Sequence, residues 1–180
     1  MSTYTQLQAD VDEVASRSVG ALAYRSLTAE LNARLRLTLM ESSDTITTVD
    51  NTESYSVPAD FLEARSLFVL ATPRSPIVLT TQADQNWSYS GSGRPVEAIV
   101  VNGLLLLNPV PDDAYSVVLR YIAKLADLSG GSDTNDVMDN HYNIYLYGAL
   151  KHHTALTRNI EMTAHWGGMF EEAIRQAEIA

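Results

Sequence analysis

The four histidines are the residues of this 180-residue chain best suited to acid–base or metal chemistry, and their spacing argues against a local metal centre. His152 and His153 are adjacent, so on a helix they point to different sides. His141 lies three helical turns before His152, about 16 Å along an axis. No His-x-x-x-His pair occurs, and a site would need His165 brought in from a later element. The acids Asp133, Asp136 and Asp139, with Asn135 and Asn140, resemble an oxygen cage. An EF-hand loop, however, needs Gly at its sixth position and Glu at its twelfth, where this chain has Met138 and Ile144. Helix capping is the better expectation, with Thr134 or Asp136 accepting from the open N–H groups of the next helix.

Ser90-Gly91-Ser92-Gly93-Arg94 could tolerate a phosphate. It lacks the Walker and Gly-x-Gly-x-x-Gly patterns and the Gly-x-Ser-x-Gly elbow, so a loop before a hairpin is expected. The pairs Asp112-Asp113 and Glu171-Glu172 read as solvated charge. Nothing in the sequence pairs a nucleophile with a base. The expected assignment is no catalytic residue, no cofactor and no metal.

Composition narrows the classes further. Twelve basic residues stand against twenty-two acidic ones, a net charge of -10, and 46% of the residues are hydrophobic. Such a surface does not attract DNA phosphates or anionic lipid, although DNA could slide past it. The absence of cysteine excludes disulfides, thiolate chemistry and cysteine zinc sites. The longest apolar runs, Ala98 to Val101 and Leu104 to Leu107, fall far short of a membrane span. The polar start Met1-Ser2-Thr3-Tyr4 carries no signal-peptide pattern. These features lead us to expect a soluble protein of a reducing cytoplasm, or of a particle assembled there.

The elements that would position these residues divide the chain into three. Leu7, Val11, Val14 and Ala15 mark one helical face. A second helix is expected over about Ser26 to Met40, with Leu27, Leu31, Leu35 and Leu39 as one stripe and Glu30–Arg34 as an i,i+4 pair. Ser18-Val19-Gly20 separates the two. Strands follow at Thr45 to Val49, Ser54 to Val57 and Ser66 to Leu70. Asn102-Gly103 between two hydrophobic runs predicts a hairpin with a type I′ turn, and Tyr115 to Ile122 alternates as a further strand that would complete a three-stranded meander. After a loop from Ala126 to Asn135, Met138, Tyr142, Tyr145, Leu146, Ala149 and Leu150 share a helical face. Trp166, Phe170, Ala173, Ile174 and Ala177 share another, with Thr157-Arg158-Asn159 between the two helices. Strands segregated from helices mean an α+β fold. We expect a single domain over 1–180, its helical part covering about 1–42 and 134–180 and bundled by the N- and C-terminal helices. Its β-rich part, about 43–125, would be a central antiparallel sheet and hairpin unit. Tyr142, Tyr145, Trp166, Phe170 and Ile174 are the candidate packing or interface residues.

Four segments in this order carry a resemblance. They are Val57-Pro58-Ala59-Asp60-Phe61-Leu62-Glu63-Ala64-Arg65-Ser66-Leu67; Gly93-Arg94-Pro95 with the Asn102-Gly103 hairpin and Leu106-Leu107-Asn108-Pro109-Val110-Pro111; Tyr121-Ile122-Ala123-Lys124-Leu125-Ala126-Asp127-Leu128-Ser129; and Tyr145-Leu146-Tyr147-Gly148-Ala149-Leu150 leading to a helix with Trp166 and Phe170. Together, over about residues 25–178, they resemble the head-to-tail adaptor, or connector, proteins of tailed bacteriophages. The resemblance implies a ring, typically of twelve copies, beneath the portal of the capsid. It implies copies of itself, the portal protein and tail (nozzle or tail-tube) proteins as partners. Double-stranded DNA would pass through without specific binding, and no membrane would be involved. The protein would sit at the head–tail interface of the virion, assembled in the host bacterial cytoplasm. The family has no catalytic residues to carry over. At Thr134-Asn135 the chain continues with Asp136-Val137-Met138, where the family commonly has an aromatic-apolar stretch. Two other readings stand beside this one: another virion component, such as a tail-completion or head-decoration protein, and a metal-dependent enzyme using His141, His153, His165 and nearby acids.

Overall fold

In the computed structural model, residues 2–80 and 91–179 are described; Ser90 of the glycine-rich loop lies outside them. The chain forms two compact units, one of residues 1–40 and 125–180 and the other of residues 41–124. The first is helical and the second is a sheet. The fold is α+β, with helices towards both ends of the chain.

The helical unit contains α1 (Tyr4–Ala15), α2 (Ala21–Arg34), a 3-10 turn (Thr38–Met40), α3 (Asp136–Asn140), α4 (Tyr142–Leu156) and α5 (Ile160–Ile179). Thr3 caps α1, its hydroxyl accepting from Gln6 N at 3.3 Å. Leu7 and Val11 are buried, whereas Val14, the next-to-last residue of the helix, is half exposed. Ser16 ends α1 in the left-handed region, and Asp12 Oδ1 accepts from Val19 N to turn the chain toward α2. Helix α4 is central, packing against α1, α2 and α5.

Helix α2 starts earlier than its leucine stripe predicts and stops at Arg34. Leu35 is extended yet fully buried, and Leu39 is 39% exposed. The stop has a tertiary cause. The buried Asn32 side chain holds the backbone of Leu125 from both sides, donating to its carbonyl at 3.0 Å and accepting from its N–H at 2.7 Å. The Arg36 guanidinium then donates to the carbonyls of Asn32 and Leu35, which satisfies groups left open at the helix end.

The sheet unit has β1 (Glu41–Thr47), β2 (Ser54–Ser56), β3 (Phe61–Val69), β4 (Ser75–Leu79), β5 (Glu97–Val101), β6 (Leu104–Asn108) and β7 (Ser116–Ala123), in the order β1-β7-β3-β4-β5-β6-β2. The β5–β6 hairpin forms as expected. Asn102 (φ 50) and Gly103 (φ 76) make its turn, and Val101 faces Leu104. The three-stranded meander does not form. Strand β7 lies between β1 and β3, away from β6. The connection through Pro109 and Pro111 offers few backbone donors for a tight return, and β7, with Val117, Leu119, Tyr121 and Ile122 buried, is covered on both edges. The sheet is larger than expected and mixed, because β4 pairs parallel to β5. Its core is Leu67, Val69, Ile77, Ala98, Leu105, Leu107, Val117, Leu119 and Tyr121. Both outer edges are blunted, β1 by its polar sequence and β2 by its three-residue length.

Candidate assembly interface

Phe170 is the buried anchor of α5, with no exposed surface. Its ring packs where α4 carries Gly148. A Cβ placed on Gly148 would come within 2.9 Å of Phe170 Cε2 and would run into the Leu27 side chain of α2. The glycine therefore sets how closely three helices approach. Above the ring lie two cations, Lys151 Nζ at 4.5 Å from its centroid and Arg34 Cζ at 5.8 Å. Both reach Glu30, Lys151 at 2.7 Å and Arg34 at 2.9 Å, and His152 Nε2 lies 2.8 Å from the same carboxylate. Arg34 also holds Glu171 of α5 through two parallel hydrogen bonds. One charged network thus ties α2, α4 and α5 over an aromatic core. The i,i+4 spacing of Glu30 and Arg34 was readable in the sequence; Lys151, His152 and Glu171 join it only through the fold.

The electrostatics follow from this packing. Burial alone would raise the pKa of Glu30, but hydrogen bonds from Lys151, Arg34 and His152 outweigh it and hold the carboxyl below its ordinary value. Arg34 keeps Glu171 low as well. Burial pushes His152 down against the pull of Glu30, and burial with nearby Arg17 lowers His153. Both signs predict acid lability in two stages. A histidine with a depressed folded pKa takes up its proton more readily in the unfolded chain, so stability falls as pH drops below about 6.5. Depressed carboxylates add a second loss as pH falls below the ordinary range near 4. Thermal midpoints measured from pH 8 to pH 3 should decline in these two windows, and His153→Gln should remove part of the first. A flat profile from pH 7 to pH 5 would contradict the histidine assignment.

The other candidate residues occupy distinct places. Tyr145 is buried; its hydroxyl accepts from Asn135 Nδ2 at 2.9 Å, and burial pushes its pKa up to about 12. The hydroxyl of half-buried Tyr142 donates to Asp10 Oδ2 at 2.6 Å, joining α4 to α1. Half-buried Trp166 stacks on Tyr147 with ring centroids 6.0 Å apart. Ile174 is buried one turn beyond Phe170. Tyr142 thus links α4 to α1, Trp166 links α5 to α4, and Tyr145 links α4 to the cap of α3.

The acids of the pre-helix loop act within the fold. Asn135, rather than Thr134 or Asp136, caps α3, its Oδ1 accepting from Met138 N at 2.9 Å. Thr134 precedes the cap position, and its hydroxyl is buried without a hydrogen-bond partner. The Asp133 carboxylate accepts from the N–H groups of Ser129 and Gly130, while the carbonyls of Asp133 and Gly131 receive the first N–H groups of α1. His141 sits at the α3–α4 junction, His153 lies beneath the end of α1 with Val14, Arg17 and Trp166 around it, and His165 packs edge-on to Trp166. Among the described residues, no group of three or more His, Asp or Glu is placed to hold a metal.

Three of the segments that carried the resemblance make backbone or side-chain contacts within the sheet unit. In the sheet, Tyr121 donates to Asp60 Oδ1 at 3.0 Å, which joins the first segment to the third. Gly93 N donates to Val110 O at 2.8 Å, which closes the second onto itself. Several aliphatic side chains are exposed elsewhere on the molecule. Ile160 is 85% exposed and Leu156 52% at the α4–α5 turn, and Leu70, Val78 and Val49 are exposed on the sheet unit. No helix among the described residues is long and apolar enough to cross a membrane.

Compared with known families, the chain matches the family model described as SU10 adaptor protein over residues 2–180, so it belongs to that family. A search of the curated proteins finds no match.

Proposed function

We propose that this member of a phage adaptor family is a structural virion protein that forms a ring of twelve copies under the portal, extends the DNA channel and docks the tail. The family match over nearly the whole chain carries this reading. The build of the molecule supports it. The helical unit is closed by its own ion network, aliphatic side chains remain exposed for contacts, and the charge of -10 repels phosphate. In this reading Tyr142, Tyr145, Trp166, Phe170 and Ile174 keep the helices in register for assembly. The Asn102-Gly103 turn fixes the hairpin, and no residue has a catalytic, cofactor or metal role. The partners are other copies of the chain, the portal protein and nozzle or tail-tube proteins at the head–tail interface, assembled in the host bacterial cytoplasm without a membrane. Co-sedimentation of the purified chain with portal particles tests the reading: the chain should pellet with portal and stay in solution without it. Failure to associate at micromolar concentration would remove the basis for it.

DNA passing through such a ring should meet no grip. Affinity for duplex DNA comes mainly from Lys and Arg releasing condensed counterions. The twelve basic residues are scattered, with Arg34 and Arg36 alone lying within three positions of each other. Arg34 is already committed to Glu30 and Glu171. The expected gel-shift result is no complex at physiological salt. A shift that persists there would turn the reading from a passive conduit to a DNA-gripping valve.

A further inference from the structure

We propose that copies of this chain join head to tail through the helical unit, the α4–α5 turn of one copy seating in the groove at the far end of α5 in the next. The inference rests on the ring reading above and names the contact that would build the ring. The two ends of the unit differ in shape and chemistry. At one end the turn projects Ile160, 85% exposed as the first residue of α5, with Leu156, 52% exposed, beside it. Arg158 stands between them in the left-handed region. At the other end lies a groove of about 580 Å³ bordered by Arg36, Leu37, Leu39, His141, Ala177 and Glu178. Ile160 and Ala177 stand seventeen positions apart on α5, about 25 Å along the axis.

A second copy is the occupant that these features favour. A projecting apolar turn and a concave groove on opposite ends of the same unit are not self-complementary about a two-fold axis. They pair heterologously, and a heterologous contact repeats from copy to copy and closes into a ring when the rotation allows. Charge agrees at one pair. Arg158 flanks the projecting isoleucine and Glu178 flanks the groove, and neither makes an ion pair among the described residues. The groove's own cation, Arg36, is turned onto the carbonyls of Asn32 and Leu35, which leaves Glu178 to meet Arg158. Copies with a net charge of -10 repel at large, so a contact between them needs apolar area or matched charge, and this one has both.

The chain has no cysteine, which makes disulfide trapping unambiguous. Positions 39 and 160 lie far beyond the Cα separation of about 7 Å that one disulfide can span, so a bond between them must join two copies. The double variant Leu39→Cys/Ile160→Cys, assembled on portal and oxidised, should give a ladder of dimer, trimer and higher bands on a denaturing gel. Each single variant should remain monomeric. Ile160→Cys alone giving dimers would mean a two-fold contact and would overturn the proposal. So would an uncrosslinked double variant in a ring that still forms on portal, and that outcome would leave the ring reading standing. Absence of any ring on portal for the unmodified chain would remove both. As an independent check, Arg158→Glu and Glu178→Arg should each reduce ring assembly several-fold while leaving the melting curve unchanged, and the two together should restore it. No restoration by the exchange would count against the contact.

Discussion

Phe170→Ala is expected to lower the thermal midpoint of the helical unit by on the order of ten degrees. The side chain is fully buried against Gly148 and lies beneath Lys151 and Arg34. Truncating a buried Phe typically costs about 3–5 kcal/mol, because transfer free energy is lost and a cavity remains. For a chain of this size each kcal/mol moves the midpoint by about 2–4 °C. The two cations lose their aromatic face as well, which leaves Glu30 and Glu171 to hold them alone. Helical circular dichroism on heating is the measurement. An unchanged curve would mean that α5 is not packed in the free protein and is held for a partner.

Gly148→Ala is expected to destabilise, against the sign that helix propensity predicts. Alanine in place of glycine within a helix ordinarily gains about 0.5–1 kcal/mol. Here the added Cβ meets Leu27 and Phe170, both fully packed, and overpacking of this kind costs about 1–3 kcal/mol. Gly168 in α5 supplies the contrast, since a Cβ there meets nothing within 4 Å. Gly168→Ala should therefore raise the midpoint by a degree or two while Gly148→Ala lowers it by several. If both substitutions stabilise, the close three-helix approach is wrong.

The local signals in the sequence carried far. The Asn102-Gly103 turn, the Thr157-Arg158-Asn159 break and the closing helix with Phe170 and Ile174 each depend on neighbours in the chain, and each appears as read. What failed depended on distant partners. The leucine stripe of α2 ran on to Leu39 by periodicity, but Asn32 ends the helix by bonding to the Leu125 backbone, which becomes available only in the fold, and Arg36 then satisfies the carbonyls of Asn32 and Leu35. Strand β4 escaped notice because Ser75–Leu79 is short and contains Pro76, and β7 was visible as a strand but not its neighbours β1 and β3. At the candidate interface the aromatic residues were legible as helical faces. The Glu30 network was legible only as its Glu30–Arg34 pair, since Lys151, His152 and Glu171 lie more than a hundred residues away from Glu30 in sequence.

The central claim is that this adaptor-family chain builds a ring on a portal, and the mass of the assembled particle tests it most directly. Native mass measurement of the purified chain, of portal particles and of their mixture gives the number of copies added. The account predicts a monomeric or weakly associated chain by itself and twelve copies on each portal, with no intermediate number persisting at saturation. Addition of six copies would indicate a tail-completion protein instead. A stable dodecamer without portal, or no added mass on portal, would contradict the account.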